Sequence, residues 1–202
     1  TTSYSTSFSL GIKFFSNKFH DPIYGIYGFV RFADEIVDSF HDYDKAALLE
    51  RYRNDTFEAI DAGISLNPII NNFQNVVRDY KIDKDLIESF LSSMKMDLTK
   101  DTYTPDQYKQ YIVGSAEVVG LMCLKVFCER DEAKYNSLKD QAMKLGSAFQ
   151  KINFLRDLKA DYHGLGRIYF PGVDISKWDD EVKREIEADI ASDFSEALNG
   201  IR

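Results

Sequence analysis

Helix-breaking residues are scarce in this chain of 202 residues, which holds only four prolines and eleven glycines. That scarcity leaves nearly the whole length open to long helices. Cysteine is scarcer still. Cys123 and Cys128 are the only two, five positions apart in one apolar run, so on a helix they point to different faces. A disulfide framework and a thiolate metal site are both disfavoured, and buried free thiols in a reducing compartment are expected. No basic stripe interrupts a net charge of -8, which excludes the electrostatic footprint of a nucleic-acid binder. The longest apolar stretch, Ile112 to Cys128, is broken by Glu117 and Lys125. It falls short of the roughly 20 residues a membrane span requires and reads as a buried core helix. Neither a G-x-S-x-G nor a P-loop nor a G-x-G-x-x-G pattern occurs, and His20, His41 and His163 have no Ser or Cys partner in sequence. Covalent hydrolysis and a dinucleotide cofactor are therefore disfavoured. The chain starts at Thr1 without an initiator Met or a charged-then-apolar leader, which leaves room for a leader already removed.

What is present is helical periodicity, with little strand alternation and no internal repeat. At 44% hydrophobic and 29% charged residues the composition is that of an ordinary globular protein, and the length suits a single domain spanning 1–202. Ser3 to Phe15 is rich in Ser, Thr and Phe and contains a helix start. His20-Asp21-Pro22 opens a helix to about Phe40, whose apolar face is Ile26, Phe29, Val30, Ala33, Val37 and Phe40. Further helices are expected over Asp44–Ala62, stopped at Gly63; from Asn67-Pro68 onward; over Asp83–Met96 with an Asp cap; over Asp106–Phe127; over Arg130–Asp161; and over Asp179–Leu198. Between the last two lies GLGRIYFPG, Gly164 to Gly172, a loop by its three glycines and one proline. The fold class is all-α.

Within this pattern two acidic stripes stand out. Asp34 and Asp38 sit in GFVRFADEIVDSF, and Asn153, Asp157 and Asp161 sit in AFQKINFLRDLKADY. Each acidic pair is spaced i, i+4 and so shares one helical face, where like charges repel until a counter-charge arrives. Roughly five such pairs would arise by chance in a chain this acidic, so the apolar surroundings carry more weight than the spacing. Gln150 extends the second stripe by one turn. Turned toward each other, the stripes would form a cage of hard oxygens suited to Mg²⁺ carrying a phosphate. A cation would also reconcile a negative protein with an anionic substrate. The competing readings are a narrow solvated face, or structural pairing of the acids with Arg31 or Arg156. Arg31 lies three residues before Asp34, within reach of a carboxylate or a phosphate oxygen; Arg167 and Tyr169 sit in the glycine-bearing loop. Small residues Gly114, Ser115, Ala116 and Gly120 recur after Tyr111, either for close helix packing or to leave room for a slender apolar ligand.

Five ordered blocks, YSTSFSLG (Tyr4–Gly11), YGFVRFADEIVD (Tyr27–Asp38), YIVGSAEVVG (Tyr111–Gly120), AFQKINFLRDLKAD (Ala148–Asp161) and GRIYFP (Gly166–Pro171), make the chain resemble the squalene/phytoene synthase family over essentially its whole length. It is most similar to bacterial phytoene synthases. The resemblance implies an isoprenoid-synthase helical bundle around a central cavity and head-to-head joining of two prenyl diphosphates. It implies Mg²⁺ or Mn²⁺ held by Asp34, Asp38, Asp157 and Asp161, with Asn153 at a metal-associated position. It further implies diphosphate contacts from Ser5, Ser7, Arg31, Gln150, Arg167 and Tyr169, and a prenyl cavity lined by Phe8, Tyr111, Val119 and Gly120; Tyr111 and Arg31 count among the catalytic set.

The activity implied is that of a phytoene synthase using two geranylgeranyl diphosphates, with no NADPH needed. The alternatives are squalene or dehydrosqualene synthesis from farnesyl diphosphate, and a non-catalytic helical assembly factor that would have no use for paired carboxylates. A cytoplasmic location with peripheral contact to the inner membrane face suits greasy substrates, although no amphipathic anchor is evident. Nothing in the pattern specifies an oligomeric state. Two departures from the family pattern are visible: Tyr4 stands where a His is common, and the family's further C-terminal helices are expected beyond Arg202.

Overall fold

The structure is a computed structural model that describes residues 11–100, 102–166 and 168–201, with the side chains at 161, 163–165 and 176 outside that description. Its named elements are helical, and the described residues contain no strand, only an isolated parallel bridge between Thr102 and Ile168. The principal helices are α1 (His20–Ser39), α2 (Lys45–Ala62), α3 (Pro68–Tyr80), α4 (Lys84–Asp97), α5 (Pro105–Ile112), α6 (Val118–Phe127), α7 (Glu132–Leu165) and α8 (Asp180–Ala197). The expected helix within Ser3–Phe15 lies largely outside the described residues.

Local chemistry fixes most of the boundaries. Asp44 caps α2 by accepting from the Ala47 amide at 3.0 Å, and Gly63, at φ 76°, ends it in the left-handed conformation that Gly adopts without strain. Asn67 caps α3 through the amides of Ile69 and Ile70, with Pro68 in the first turn. Thr104 and Gln107 form a reciprocal capping box at the start of α5. Asp83 stands at the N-cap of α4 but makes no side-chain cap bond; its carboxylate lies 3.5 Å from the buried Lys125 instead. A buried ammonium competes for that carboxylate, which is why the expected cap is not made.

The apolar face read for α1 is the one that is buried. Ile26, Phe29, Ala33 and Val37 are in the core, with Val30 and Phe40 packed against it. Phe29 stacks on Phe73 of α3 at 3.9 Å between ring centroids, and Tyr52 of α2 donates its hydroxyl to the Phe29 carbonyl at 3.1 Å. Helix α1 is thus pinned on two sides, leaving a third face for the acidic pair.

The helix expected over Asp106–Phe127 is not regular. A π-helical segment, Val113–Glu117, separates α5 from α6. At Gly114 a Cβ would lie 2.6 Å from the Ser89 carbonyl oxygen and 2.7 Å from the Ser93 Cβ. At Gly146 of α7 one would lie 2.8 Å from the Ala116 carbonyl oxygen. The segment is therefore squeezed between α4 and α7, and the extra residue of a π turn accommodates a backbone held from both sides. By length and composition Pro105–Phe127 could cross a membrane. Here Ile112, Val118, Leu121, Met122, Leu124 and Val126 are buried within the bundle.

A polar network docks α8 on α7. The buried Asp193 accepts from Lys144 at 2.8 Å, Lys151 at 2.7 Å and Ser147 at 2.6 Å, while Lys151 also donates to Asp189 at 2.5 Å. The residues that follow, Ala197, Gly200 and Ile201, close one side of a cavity.

Candidate active site

Between α6, α7 and the end of α8 lies a cavity of about 640 Å³, within the range of small-ligand sites. Its wall is mostly apolar, with Val119, Cys123, Leu124 and Phe127 from α6 and Leu138, Ala142 and Leu145 from α7. Polar groups concentrate along one line of α7, where Gln150 and then Asn153 reach the wall, and Asp157 follows one turn further along the same face. Val119, Gly120, Gln150 and Asn153 are thus brought together around one cavity. The small residues serve both readings at once, because Gly114 is needed for close packing while Ser115, Ala116 and Gly120 open the wall. Phe149 borders the cavity yet is 54% exposed. A larger groove of about 940 Å³ lies between α1, α2 and the loop before α3. None of the candidate site residues lines it, so size alone does not identify the chemistry.

The acidic pair of α1 occupies an unusual environment. Burial, reinforced by Asp38 one turn on and partly offset by Arg31, pushes the Asp34 carboxyl up to about 7, with Asp97 and Glu35 adding to the rise. A carboxylate that resists ionisation so strongly is one whose charge asks for a cation. Two hard oxygen donors one turn apart fit Mg²⁺, with further oxygens to come from diphosphate. Arg31 forms an ion pair with Glu35 on its own helix, so the nearest guanidinium to the pair is already engaged by another carboxylate.

The second stripe is arranged differently. Asp157 accepts from Arg156 at 2.8 Å through Nε and 2.5 Å through Nη2, and those hydrogen bonds hold its carboxyl below the usual range. This is the structural pairing with Arg156 weighed as an alternative above. Among the described residues no three His, Cys, Asp or Glu side chains come close enough to hold a metal together. Asp161 and Arg167, like Ser5, Ser7 and Phe8, fall outside the described side chains.

Tyr111 and Tyr169 are not on the cavity wall. Both are buried in an aromatic cluster that adjoins the cavity, since Tyr111 lies one turn before Ser115 and Phe154 follows Asn153. Tyr169 stacks on Phe154 at 4.1 Å and 9° between planes, and lies 5.3 Å from Tyr111 and 5.4 Å from Tyr103. At its centre is a residue that motif reasoning passed over. The buried Asp97, at the end of α4, accepts from the Tyr103 hydroxyl at 2.7 Å on one oxygen and from Tyr111 at 2.6 Å on the other. Burial, then Asp97, push the Tyr111 hydroxyl well above the ordinary tyrosine range. A signal existed. Ile87, Phe90, Met94 and Asp97 follow i, i+3, i+7, i+10 spacing, which places an acid at the end of the buried face of α4.

Comparison with known proteins agrees with this architecture. The sequence profile of the squalene/phytoene synthase family matches residues 1–197. Phytoene synthase 1, chloroplastic, of Solanum lycopersicum is 29% identical over 178 residues, covering 86% of this chain and 43% of the relative. Presqualene diphosphate synthase of Rhodopseudomonas palustris is 28% identical over 169 residues, covering 82% of this chain and 58% of the relative. The chain thus spans about half the length of these curated relatives. The crystal structure of squalene synthase HpnC from Alicyclobacillus acidocaldarius superposes with a TM-score of 0.82 at 24% identity, covering 98% of this chain and 78% of the other, and establishes the isoprenoid-synthase type of helical fold.

Proposed function

We propose, for a chain that belongs to the squalene/phytoene synthase family, that it joins two geranylgeranyl diphosphates head to head to form phytoene. The observation that carries the reading is the pairing of a half-buried, desolvated carboxyl at Asp34 with Asp38 on α1, in the same small bundle as an apolar cavity whose polar end is Gln150 and Asn153. Asp34 and Asp38, together with Asn153, Asp157 and Asp161 on α7, are the residues that would hold Mg²⁺ or Mn²⁺. When bound, the ion supplies Lewis-acid assistance to departure of diphosphate.

The chain's own residues do the rest. The walls of α6 and α7 exclude water from the allylic cation that remains when the C–O bond to diphosphate breaks, so that the double bond of the second prenyl chain is its nearest nucleophile. Gln150 and Asn153 fix the polar end and thereby orient the chain along the cavity. Tyr111 donates to Asp97 and keeps its own proton, so the proton lost at the end of the reaction goes to another base, for which the released diphosphate is the available anion. No reductant is required for phytoene. Peripheral contact with the inner membrane face would deliver the substrates and take up the product.

A second reading, coupling of two farnesyl diphosphates, is favoured by the names of the presqualene diphosphate and squalene synthases among the similar proteins. Incubating the protein with Mg²⁺ and either C20 or C15 diphosphate, with and without NADPH, separates the two. Mass spectrometry should find a C40 hydrocarbon without NADPH. A C30 product alone sinks the C20 assignment, and no coupled product from either substrate, hydrocarbon or diphosphate, sinks the enzymatic reading.

A further inference from the structure

We propose that the segment Lys13–Phe19 is a membrane-docking surface that seats the apolar end of the cavity against a bilayer containing anionic lipid. The inference rests on the prenyl diphosphate reading only for what passes through the cavity.

The segment departs from the rest of the chain in composition. Residues 1–20 include Lys13 and Lys18 and not one Asp or Glu, in a chain whose net charge is -8. Phe14 and Phe15 stand between the two lysines, and Phe19 follows the second. Aromatic rings beside lysines suit the interface of an anionic bilayer, where the rings enter the boundary region and the ammonium groups meet lipid phosphates.

The structure presents these rings on an ordered turn. Ile12 is buried beneath it, and the amides of Phe14 and Phe15 donate to the carbonyls of Gly11 and Ile12 at 3.1 and 3.0 Å. Phe14 is left 82% exposed and Phe15 44% exposed. Two contacts brace the turn: the His20 ring donates to the Phe15 carbonyl at 2.9 Å, and Lys18 donates to both oxygens of Glu129 at 2.7 Å. Glu129 and Arg130, between α6 and α7, hold φ of 50° and 72°, a left-handed conformation that residues other than glycine seldom keep without such ties. Glu129 takes up the charge of Lys18. The attraction to lipid therefore falls to Lys13 and to Arg130, whose guanidinium donates to the neutral backbone carbonyl of Asp79.

Behind the turn lies the cavity. Phe15 and Phe19 meet Phe127 edge-on at 5.1 and 5.3 Å, and Phe127 lines the cavity with Cys123 and Leu124. One aromatic residue thus separates the exposed rings from the apolar end. The polar end is remote from it: Ala116 lies against Gly146, one turn before Gln150, and Phe127 stands about 16 Å further along the helix. A hydrocarbon has no favourable route through water, whereas a lipid-bound face beside Phe127 offers one. The other exposed apolar patch, Ile64 and Leu66, borders the groove between α1 and α2, whose charged lining of Arg51, Asp55 and Glu58 is net acidic. That sign suits an anionic bilayer poorly.

The test is flotation with vesicles of phosphatidylcholine alone and of equal parts phosphatidylcholine and phosphatidylglycerol. The wild-type chain should bind the mixed vesicles, and less so at high salt. Phe14→Ser, which removes a ring that packs little on the fold, should keep the thermal midpoint and lower vesicle affinity by about tenfold. Lys13→Gln should cost about fivefold on mixed vesicles alone. Leu66→Ser should change neither. Since Trp178 is the only tryptophan, Trp178→Phe/Phe14→Trp carries one indole, at position 14, and brominated phosphatidylcholine in the mixed vesicles should quench it.

A wild type that does not float with mixed vesicles, wild-type affinity in Phe14→Ser, or an unquenched indole would overturn the assignment. So would a loss confined to Leu66→Ser, which moves docking to the groove, or self-association that Phe14→Ser abolishes without any vesicle binding, which gives the surface to a second copy of the chain. Flotation needs no turnover. A chain that docks but forms no coupled product keeps this surface and loses the proposed function, and the reverse result does the opposite.

Discussion

Replacing Asp193 by Ala should unlatch α8 from α7 and, through α8, open the cavity. The carboxylate is 5% exposed and accepts from Lys144, Lys151 and Ser147. Its loss leaves Lys151, itself 8% exposed, with only the largely exposed Asp189 as a partner. Breaking a buried ion pair from one side costs about 3–5 kcal/mol. Lys151 keeps Asp189 and can reach solvent along its stem, which puts the expected cost near the lower end, about 3 kcal/mol. For a chain of this size each kcal/mol moves the thermal midpoint by about 2–4 °C, so a fall of about 6–12 °C is expected by calorimetry.

The sign of the pH dependence follows from the same geometry. Burial works to raise the Asp193 carboxyl, but hydrogen bonds from Lys144, Lys151 and Ser147 prevail and hold it below the ordinary carboxylate range. A depressed folded pKa contributes stability above the unfolded value and loses it as pH falls through the folded one. The wild type should therefore shed this contribution below about pH 4, and the difference between wild type and Asp193→Ala should shrink there. The double variant Asp193→Leu/Lys151→Met, which removes both charges, should recover most of the loss at pH 7. A single substitution costing under about 1 kcal/mol, or a double variant no better than the single, would refute the claim that this pair is a buried latch.

Asp34→Asn should abolish hydrocarbon formation in a product assay, yet raise the denaturant midpoint of the metal-free protein at pH 7. The reason is that the fold favours the neutral form of a carboxyl raised to about 7. By the same sign, the metal-free wild type should gain stability as pH falls from about 7 toward about 4, and the Asn variant should lack that gain. Gly114→Leu should prevent accumulation of folded protein, because the Ser89 carbonyl oxygen lies 2.6 Å from where even a Cβ would sit; normal circular dichroism and thermal midpoint would contradict the squeezed π turn. Cys123→Trp should fill the apolar cavity, leaving pyrophosphate binding intact while lowering turnover of the C20 substrate more than of the C15 one; equal losses would place the prenyl chain elsewhere.

The elements that were legible in the sequence are those fixed by neighbours in the chain. Asn67-Pro68 and Gly63 declare helix ends through bonds that span two to four residues, and the apolar face of α1 follows from spacing alone. The π segment at Val113–Glu117 was not legible, because its cause is the simultaneous approach of Ser89 and Gly146 from two other helices. Asp83 fails as a cap for a related reason: its rival partner, Lys125, lies 42 residues on along the chain and is within 3.5 Å only once α6 is packed.

The candidate site divides along the same line. Gln150, Asn153 and Asp157 share a face because α7 is continuous through them, so periodicity alone brings them to one stripe. Which partner each takes is a tertiary matter, and Asp157 turning to Arg156 shows the stripe in a state where its charge is already compensated locally. Asp34 has less relief, since Arg31 is also engaged by Glu35 and offsets only part of the cost that burial, Asp38 and Asp97 impose. The two stripes that look alike in sequence are therefore unequal: α1 carries a carboxyl that gains most from an arriving cation, whereas α7 must first release a guanidinium. If diphosphate takes over Arg156 as it enters, the freed Asp157 becomes available to the ion at the moment the substrate arrives. Arg156→Gln should then strengthen Mg²⁺ binding in the absence of diphosphate and weaken diphosphate binding in its presence. Calorimetric titration of each ligand separately reads both changes, and a variant that loses affinity for Mg²⁺ alone would refute the exchange.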